Sequence, residues 1–292
     1  MTTVIQALID AMSIGSTYAL VALGVALIFG IMRLINFAYG EYFMVAAYAM
    51  LAFNAVSLFI SLLFVILVVV AFSLLTERLA FRPLRGADPT TLMITSFALS
   101  YLAQKIAIML TSGEARTVVV PDSWLAPVHV FGVEIGRLEI WITVSAISLM
   151  ITLQAILTRT DLGIQMRAAA EDFRMARLLG VAADRVIMSA FAIGGVLAAI
   201  GAFLYIAKLG SFTPSVGAPI LLAGIVATVI GGLGSLKGAV TGAYLLGLAQ
   251  VSLQIALPTN LVAFRDAFVF AFVILLLLLR PTGIFGSYVQ RI

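Results

Sequence analysis

The sequence is a succession of long apolar runs separated by short polar interruptions. A helix needs about 20 apolar residues to cross a hydrocarbon core of about 30 Å. Seven runs approach or exceed that length, at residues 5–30, 55–75, 90–110, 140–157, 186–207, 239–257 and 264–279. Two further runs, 42–53 and 220–230, are too short to cross unaided. The pattern predicts an all-α polytopic membrane protein, a bundle of about 8–10 transmembrane helices forming one domain over residues 1–292.

The longest polar interruption, residues 158–185, contains five of the 17 lysine and arginine residues. Thr160 or Asp161 can cap the start of a helix there, and Gly180 suits the left-handed position just past its end. Alanines fall on one side of this predicted 161–180 helix. An amphipathic helix between two spans favours a docking surface for another protein. The charge by itself favours a solvated cytoplasmic loop that follows the positive-inside rule.

The two short apolar runs adjoin glycine-containing interruptions at 36–40 and 231–238. Interrupted segments in corresponding places indicate a weak internal repeat and broken helices, whose freed backbone groups can line a substrate pathway. The pathway residues predicted on this basis are Asn36, Gly40, Gly231, Gly234 and Gly238. The alternative is that both stretches are ordinary tight loops at the inner face.

Other polar residues near the spans have simpler interpretations. Glu41 is predicted to pair with Arg33 at the membrane interface, and Asp184 to cap the helix that follows the central segment. Gln250 and Gln254 lie one helical turn apart within a span, which favours hydrogen bonds between helices.

Two stretches outside the spans are predicted from their turn and strand residues. Residues 77–89 contain prolines and arginines and are predicted to be a polar loop. The outer loop, 111–139, is predicted to hold a small hairpin made of strands 117–120 and 128–135.

Basic residues are distributed unequally between the two sides of the predicted bundle. With nine crossings and the N-terminus outside, twelve of the 17 lysines and arginines lie inside. The positive-inside rule therefore predicts a cytoplasmic C-terminus. Because these residues lie in short loops, the net charge of +4 indicates topology and contact with the lipid bilayer, and no nucleic acid partner is predicted.

Composition and motifs exclude most enzyme chemistry. The chain is 63% hydrophobic and only 10% charged, with one histidine and no cysteine. The stretch Gly234-Ser-Leu-Lys237-Gly238 lacks the Gly-Lys-Ser/Thr ending of a phosphate-binding loop. We therefore predict no catalytic, cofactor-binding or metal-binding residues, and ATP hydrolysis would have to come from another chain.

Four stretches resemble a known family. They are Arg33-Leu-Ile-Asn-Phe-Ala-Tyr-Gly40-Glu41, Ala168-Ala-Ala-Glu-Asp172 together with Ala176-Arg-Leu-Leu-Gly180-Val181, Gly231-Gly-Leu-Gly-Ser-Leu-Lys-Gly238, and Arg280-Pro-Thr-Gly-Ile-Phe-Gly286. In this order they resemble permeases of branched-chain amino acid ABC importers, specifically the smaller of the two permease subunits. The resemblance covers nearly the whole chain.

The resemblance implies a multi-pass protein of the bacterial inner membrane. The implied partners are a second, larger permease subunit, two cytoplasmic ABC ATPase subunits and an extracytoplasmic substrate-binding protein. Residues 158–185 would then be the coupling segment that contacts the ATPase. The coupling residues implied within it are Arg167, Ala168, Ala169, Glu171, Ala176, Leu179 and Gly180.

Several functions remain open at the level of sequence. Related permeases would serve branched-chain or other small amino acids, urea and short amides, or small carboxylates. A secondary transporter would need an ionisable coupling-ion site inside the membrane, which the central spans lack. A passive channel for a small solute is the third class.

Overall fold

Helices make up most of the part of the chain that the structure describes. The structure is a computed structural model and describes residues 2–52, 57–130 and 133–285. The α-helices are α1 Thr2–Met32, α2 Tyr39–Ala52, α3 Leu58–Thr76, α4 Pro89–Thr111, α5 Asp122–Leu125, α6 Arg137–Arg159, α7 Asp161–Glu171, α8 Phe173–Leu178, α9 Ala183–Leu209, α10 Gly217–Gly231, α11 Leu236–Ala256 and α12 Arg265–Leu279. The strands are β1 Arg116–Thr117, β2 Pro127–Val130, β3 Val133–Gly136 and β4 Ser211–Phe212.

Seven helical segments among these residues are long and apolar enough to cross a membrane. They are Val4–Met32, Leu58–Leu84, Pro89–Thr111, Arg137–Arg159, Asp184–Leu209, Leu236–Ala256 and Val262–Leu279. Two helices of the bundle are shorter, α2 with 14 residues and α10 with 15. At 1.5 Å per residue each covers only about 20 Å. The predicted all-α polytopic membrane bundle is confirmed.

Helix α1 lies at the centre of the bundle, and small residues let its neighbours approach closely. A Cβ atom added at Gly247 of α11 would lie 2.6 Å from the backbone nitrogen of Gly15. One added at Gly24 would meet the Tyr39 side chain. Without a hydrophobic effect between helices in lipid, such close packing stabilises their association.

Helix α2 begins inside the bundle and not at its surface. The Tyr39 hydroxyl lies 3.3 Å from the Gly194 carbonyl oxygen of α9, and its ring packs on Gly24 of α1. Gly24 is eight residues from the end of α1, and Gly194 is eleven residues from the start of α9. Residues 33–38 therefore run back into the bundle, where Asn36 Oδ1 accepts a hydrogen bond from the Ala38 amide at 3.0 Å.

Helix α10 also begins inside the bundle, directly against the start of α2. A Cβ atom at Gly217 would lie 2.0 Å from the Gly40 carbonyl oxygen, so glycine is required for this contact. At the other end of α10, the amides of Ile284 and Phe285 each donate at 2.9 Å to the carbonyl oxygens of Ile230 and Gly231. These bonds satisfy carbonyl groups that the end of a helix leaves free.

Two predicted non-span elements differ from the structure. Residues 77–84 are not a loop, since a π-turn at Glu77–Phe81 and a 3-10 turn at Arg82–Leu84 extend α3. The single strand predicted at 128–135 is instead a hairpin, in which β2 pairs with β3. Strand β1 pairs instead with the distant β4.

The two ends of the bundle differ in their polar contacts. We call one end the basic face: it holds Arg33, the 82–85 turn, α7, α8 and residues 280–285. We call the other end the hairpin face: it holds β1–β4 and the start of α12. There Gln6 Nε2 donates to the Glu134 carbonyl oxygen at 3.0 Å and Lys208 Nζ lies 2.9 Å from Glu139 Oε1.

Candidate coupling segment and translocation groove

The central polar segment consists of two helices and not of one. The predicted continuous helix over 161–180 is wrong, because Asp172 has extended backbone angles of φ −143° and ψ 101°. Its Oδ1 atom accepts a hydrogen bond from the Met175 amide at 2.9 Å. Aspartate in this position satisfies a free amide at a helix start. Asp172 therefore ends α7 and caps α8.

The outer boundaries of the segment agree better with the prediction. Thr160 Oγ1 accepts from the Gly163 amide at 3.0 Å and caps α7. Gly180 has φ +88° and follows α8, where the Val181 amide bonds to the Ala176 carbonyl oxygen at 3.0 Å. That bond belongs to the Schellman pattern of helix ends. The predicted Asp184 cap is wrong, since Ala182 precedes α9 without a side-chain cap.

The alanine face predicted to dock another protein is partly used inside the molecule. Ala169 and Ala176 are each only 3% exposed, because they pack against α1, α6 and α9. Both alanines therefore lie in the interior and not on the predicted docking surface. The exposed surface consists instead of larger apolar side chains, Ile164, Met175, Leu178 and Leu179, which are 53–79% exposed. Arg167, Ala168, Glu171 and Gly180 are exposed beside them.

Helix α7 is held firmly against the neighbouring spans. A Cβ atom at Gly163 would lie 2.2 Å from the Ile156 carbonyl oxygen of α6. Arg167 donates to the Leu157 carbonyl oxygen of α6. Arg33, just after α1, donates to the Ala170 carbonyl oxygen at 2.6 Å. Movement of α7 is therefore linked to α6 and α1.

A group of four charged residues links the end of α3 to the start of α9 beside this segment. Arg85 forms ion pairs with both Glu77 and Asp184, and Arg82 Nη2 lies 3.0 Å from Asp184 Oδ2. The Glu77 side chain is only 1% exposed. Because an unpaired buried charge is costly, Arg85 is essential to this arrangement.

Two cavities lie along α10, one near each end of the helix, and together we call them the groove. A cavity of about 460 Å³ at the hairpin face, the hairpin-side cavity, is lined by Tyr18, Tyr205, Ala218, Pro219, Ile220, Leu222, Ala223, Val226, Leu246, Gln250, Arg265, Asp266, Val269 and Phe270. A second cavity of about 460 Å³, the basic-side cavity, is lined by Gly30, Arg33, Ala170, Glu171, Val229, Leu233, Gly234, Ser235, Pro281, Thr282 and Phe285. Successive turns of α10 thus line both cavities, and the second reaches α7.

The predicted pathway residues occupy different places relative to this groove. Gly234 lines the basic-side cavity. The other four do not line either cavity: Asn36 is buried, Gly40 contacts Gly217, and a Cβ atom added at Gly231 would lie 1.8 Å from the Gly238 carbonyl oxygen. The contacts of Gly40 and Gly231 fix the two ends of α10.

Other polar residues of the spans confirm or correct the sequence interpretation. The Tyr18 hydroxyl donates to Gln250 Oε1 at 2.7 Å, so Gln250 joins α1 and α11 as predicted. Glu41 does not pair with Arg33; its Oε1 atom accepts from Ser100 Oγ at 2.7 Å. Residues 33–38 turn inward, which separates the two charges.

Sequence reasoning missed Gly217 and the cavity residues Arg265 and Asp266. Gly217 lies between Ser215 and Pro219 in a turn-rich stretch, which signals a helix start but not its depth. Arg265 and Asp266 were visible only as charges at the start of the last span. Their place in a cavity depends on how α12 packs against α10 and α11.

The sequence matches a family model described as the permease component of branched-chain amino acid transport systems, over residues 7–279. The chain belongs to this permease family. It is 34% identical to the high-affinity branched-chain amino acid transport system permease protein BraD of Pseudomonas aeruginosa, over 97% of this chain and 95% of that protein. It is 32% identical to the corresponding protein LivH of Escherichia coli, over 97% of this chain and 95% of that protein. Among solved structures, PsaBC from Streptococcus pneumoniae is similar at a TM-score of 0.45 and 13% identity, over 95% of this chain and 91% of that chain.

Membership of this family and the seven apolar helices together describe a multi-pass inner-membrane permease of an ABC transporter. The predicted family resemblance is confirmed over nearly the full length. Within this permease, the groove along α10 and the exposed apolar surface of α7 and α8 are the two candidate functional features.

Proposed function

We propose that this permease imports branched-chain aliphatic amino acids as part of an ATP-driven complex. Its partners would be a second, larger permease, two cytoplasmic ATPase subunits and an extracytoplasmic substrate-binding protein. The observation that supports this most strongly is the full-length similarity to BraD and LivH. Specificity for the substrate would be shared with the binding protein.

The proposal places the translocation pathway between this chain and the partner permease. The α10 side chains that line the two cavities include Leu222, which is 50% exposed. A second permease would cover this side of α10. Gly40, Gly217, Gly231 and Gly238 would keep α10 at the depth and angle that the groove requires.

The proposal also assigns the α7–α8 segment to coupling. Leu178 and Leu179 are 76% and 79% exposed at a water-facing end of the bundle, and neighbouring exposed apolar residues are typical of a protein interface. The cleft of an ATPase subunit would cover them. Because α7 is bound to α6 and α1, its displacement would reach the groove.

The same proposal orients the basic face toward the cytoplasm. Arginines are concentrated at that face, as the positive-inside rule requires of cytoplasmic loops. Cysteine introduced at Arg177 should react with a membrane-impermeant maleimide only from the cytoplasmic side. Cysteine at Glu114, near the hairpin face, should react only from the outside. Labelling of both positions from one side would contradict the orientation.

The function is tested by reconstitution. The complex of this permease with its partner permease and ATPase subunits is placed in proteoliposomes that contain ATP. We expect uptake of radiolabelled leucine that requires both ATP and added binding protein. Leucine uptake without ATP would indicate a secondary transporter or a channel. Uptake of urea but not leucine would reassign the substrate.

A further inference from the structure

The hairpin-side cavity has one basic and one acidic side chain next to each other at its rim. Arg265 and Asp266 begin α12, and Arg265 Nε lies 3.5 Å from Asp266 Oδ1. Their side chains are 31% and 71% exposed, so a ligand can reach both charges. Arg265 Nη1 donates to Gln254 Oε1 of α11 at 2.9 Å. This bond holds the guanidinium group over the cavity.

Polar groups continue from this rim toward the middle of the bundle. Gln250 lies one turn deeper than Gln254 on α11, and it accepts a hydrogen bond from the Tyr18 hydroxyl at 2.7 Å. Tyr18 is near the midpoint of α1. Polar side chains at such a depth are costly against lipid and usually face a polar cavity or a partner. The cavity therefore has a polar wall that enters the membrane.

The rest of the cavity lining is mostly apolar. It is formed by three helices, through Leu222 and Val226 of α10, Leu246 of α11, and Val269 and Phe270 of α12. The volume of about 460 Å³ lies within the usual range of small-molecule sites, roughly 300–1,000 Å³. An apolar wall of this kind suits an aliphatic side chain, whereas the rim suits an ion pair.

We infer that the hairpin-side cavity binds a free aliphatic α-amino acid as its zwitterion. The carboxylate pairs with Arg265, whose planar donors match two carboxylate oxygens, and the ammonium group pairs with Asp266. The side chain contacts the apolar wall. A zwitterion has opposite charges on neighbouring groups, as this rim does, whereas urea and short amides have neither charge. The inference rests on the proposed function and specifies where its substrate is recognised.

A phosphatidylethanolamine head group carries the same pair of charges, and the experiment separates the two ligands. The whole transporter complex, without its binding protein, is placed in nanodiscs of phosphatidylcholine and phosphatidylglycerol. Equilibrium binding is then measured for radiolabelled leucine and, separately, for a radiolabelled short-chain phosphatidylethanolamine added to the same nanodiscs. We expect 4-methylpentanoate and 3-methylbutylamine, which each lack one of the two charges, to compete at least about tenfold more weakly than leucine.

Single variants test the two charged residues. Arg265→Gln and Asp266→Asn should each weaken leucine binding about tenfold or more, since each removes a charge-assisted hydrogen bond. Arg265→Lys keeps the charge without the planar fork and should have a smaller effect. Arg116→Gln is the matched control, because Arg116 is on the hairpin face but outside the cavity. Assembly of each variant complex is verified by size-exclusion chromatography.

The possible outcomes separate this site from the proposed function. Equal leucine binding by the wild type and both cavity variants would overturn the site, even if the wild-type complex imports leucine. So would the absence of leucine binding by the wild type at millimolar concentrations. Binding of phosphatidylethanolamine that depends on Arg265 and Asp266, with no binding of leucine, would identify a lipid site instead. Leucine binding that depends on both residues, without ATP-driven uptake, would support the site and contradict the proposed function.

Discussion

Replacement of Gly180 by valine tests whether the end of α8 must be held in one place. Gly180 has φ +88°, and a Cβ atom there would meet no other atom within 4 Å. Substitution therefore places a Cβ atom in open space beyond the two neighbouring residues. Its only direct cost is that of forcing an L-residue into the left-handed region, about 1–2 kcal/mol and larger for a β-branched side chain.

That cost acts on the hydrogen bonds that end α8. The Gly180 amide bonds to the Arg177 carbonyl oxygen at 3.1 Å, and the Val181 amide to that of Ala176 at 3.0 Å. A penalty of 1–2 kcal/mol reduces the population of this ending by roughly 5–30-fold. Leu178 and Leu179 would then leave their positions on the exposed apolar surface. We expect weaker ATPase association, or ATP hydrolysis that no longer accompanies leucine uptake.

The assay measures co-purification of the ATPase subunits, ATP hydrolysis and leucine uptake in proteoliposomes. Gly86→Val is the matched control: Gly86 is also on the basic face with no atom near a Cβ position, but its φ lies outside the left-handed region. Gly180→Asn should be milder than Gly180→Val, because asparagine tolerates this conformation. A Gly180→Val complex that assembles and transports at the wild-type ratio of ATP to leucine would refute the reasoning.

Two further predictions concern packing and charge. Arg85→Ala leaves Glu77 buried without its partner, at a cost of about 3–5 kcal/mol, and should lower the thermal midpoint of the complex. Adding Glu77→Gln to this variant should restore much of the lost stability. A further, additive loss of stability in the double variant would contradict the pairing. Gly217→Val would place a Cβ atom 2.0 Å from the Gly40 carbonyl oxygen, so α10 must shift. Leucine uptake should then fall at least about tenfold, while the control Gly86→Val should have no effect. Normal uptake by an assembled Gly217→Val complex would show that transport does not need the close α2–α10 contact.

Local signals in the sequence were sufficient to predict several features of the central segment. Thr160 caps α7, and Gly180 takes the left-handed conformation after α8. Both depend on the conformational preferences of single residues and their neighbours, which the sequence states directly. The interruption at Asp172 was missed, because its carboxylate competes for a backbone amide within an otherwise helical pattern. The periodicity of apolar residues continues across it.

The candidate site shows which features could not be predicted from the sequence. The Gln250 hydrogen bond between helices was predictable from a polar residue in a span, but its partner Tyr18 was not. The burial of Ala169 and Ala176 depends on which side of α7 and α8 faces the spans. The sequence pattern of an alanine face is the same whether the face packs inside the chain or against another protein. Only the packing of α7 on α6 and α1 distinguishes the two.

The sequence by itself determined that the chain is a helical membrane protein, where its long spans lie and which two helices are short. These follow from the length and apolarity of local runs, since a bilayer requires about 20 apolar residues per crossing. Only the tertiary structure decided that α2 and α10 both begin inside the bundle at Gly40 and Gly217, and that Arg265 and Asp266 border a cavity. The first arrangement depends on close backbone approach between residues more than a hundred positions apart, and the second on how α12 packs against other helices. Such contacts leave no periodic signal in the sequence.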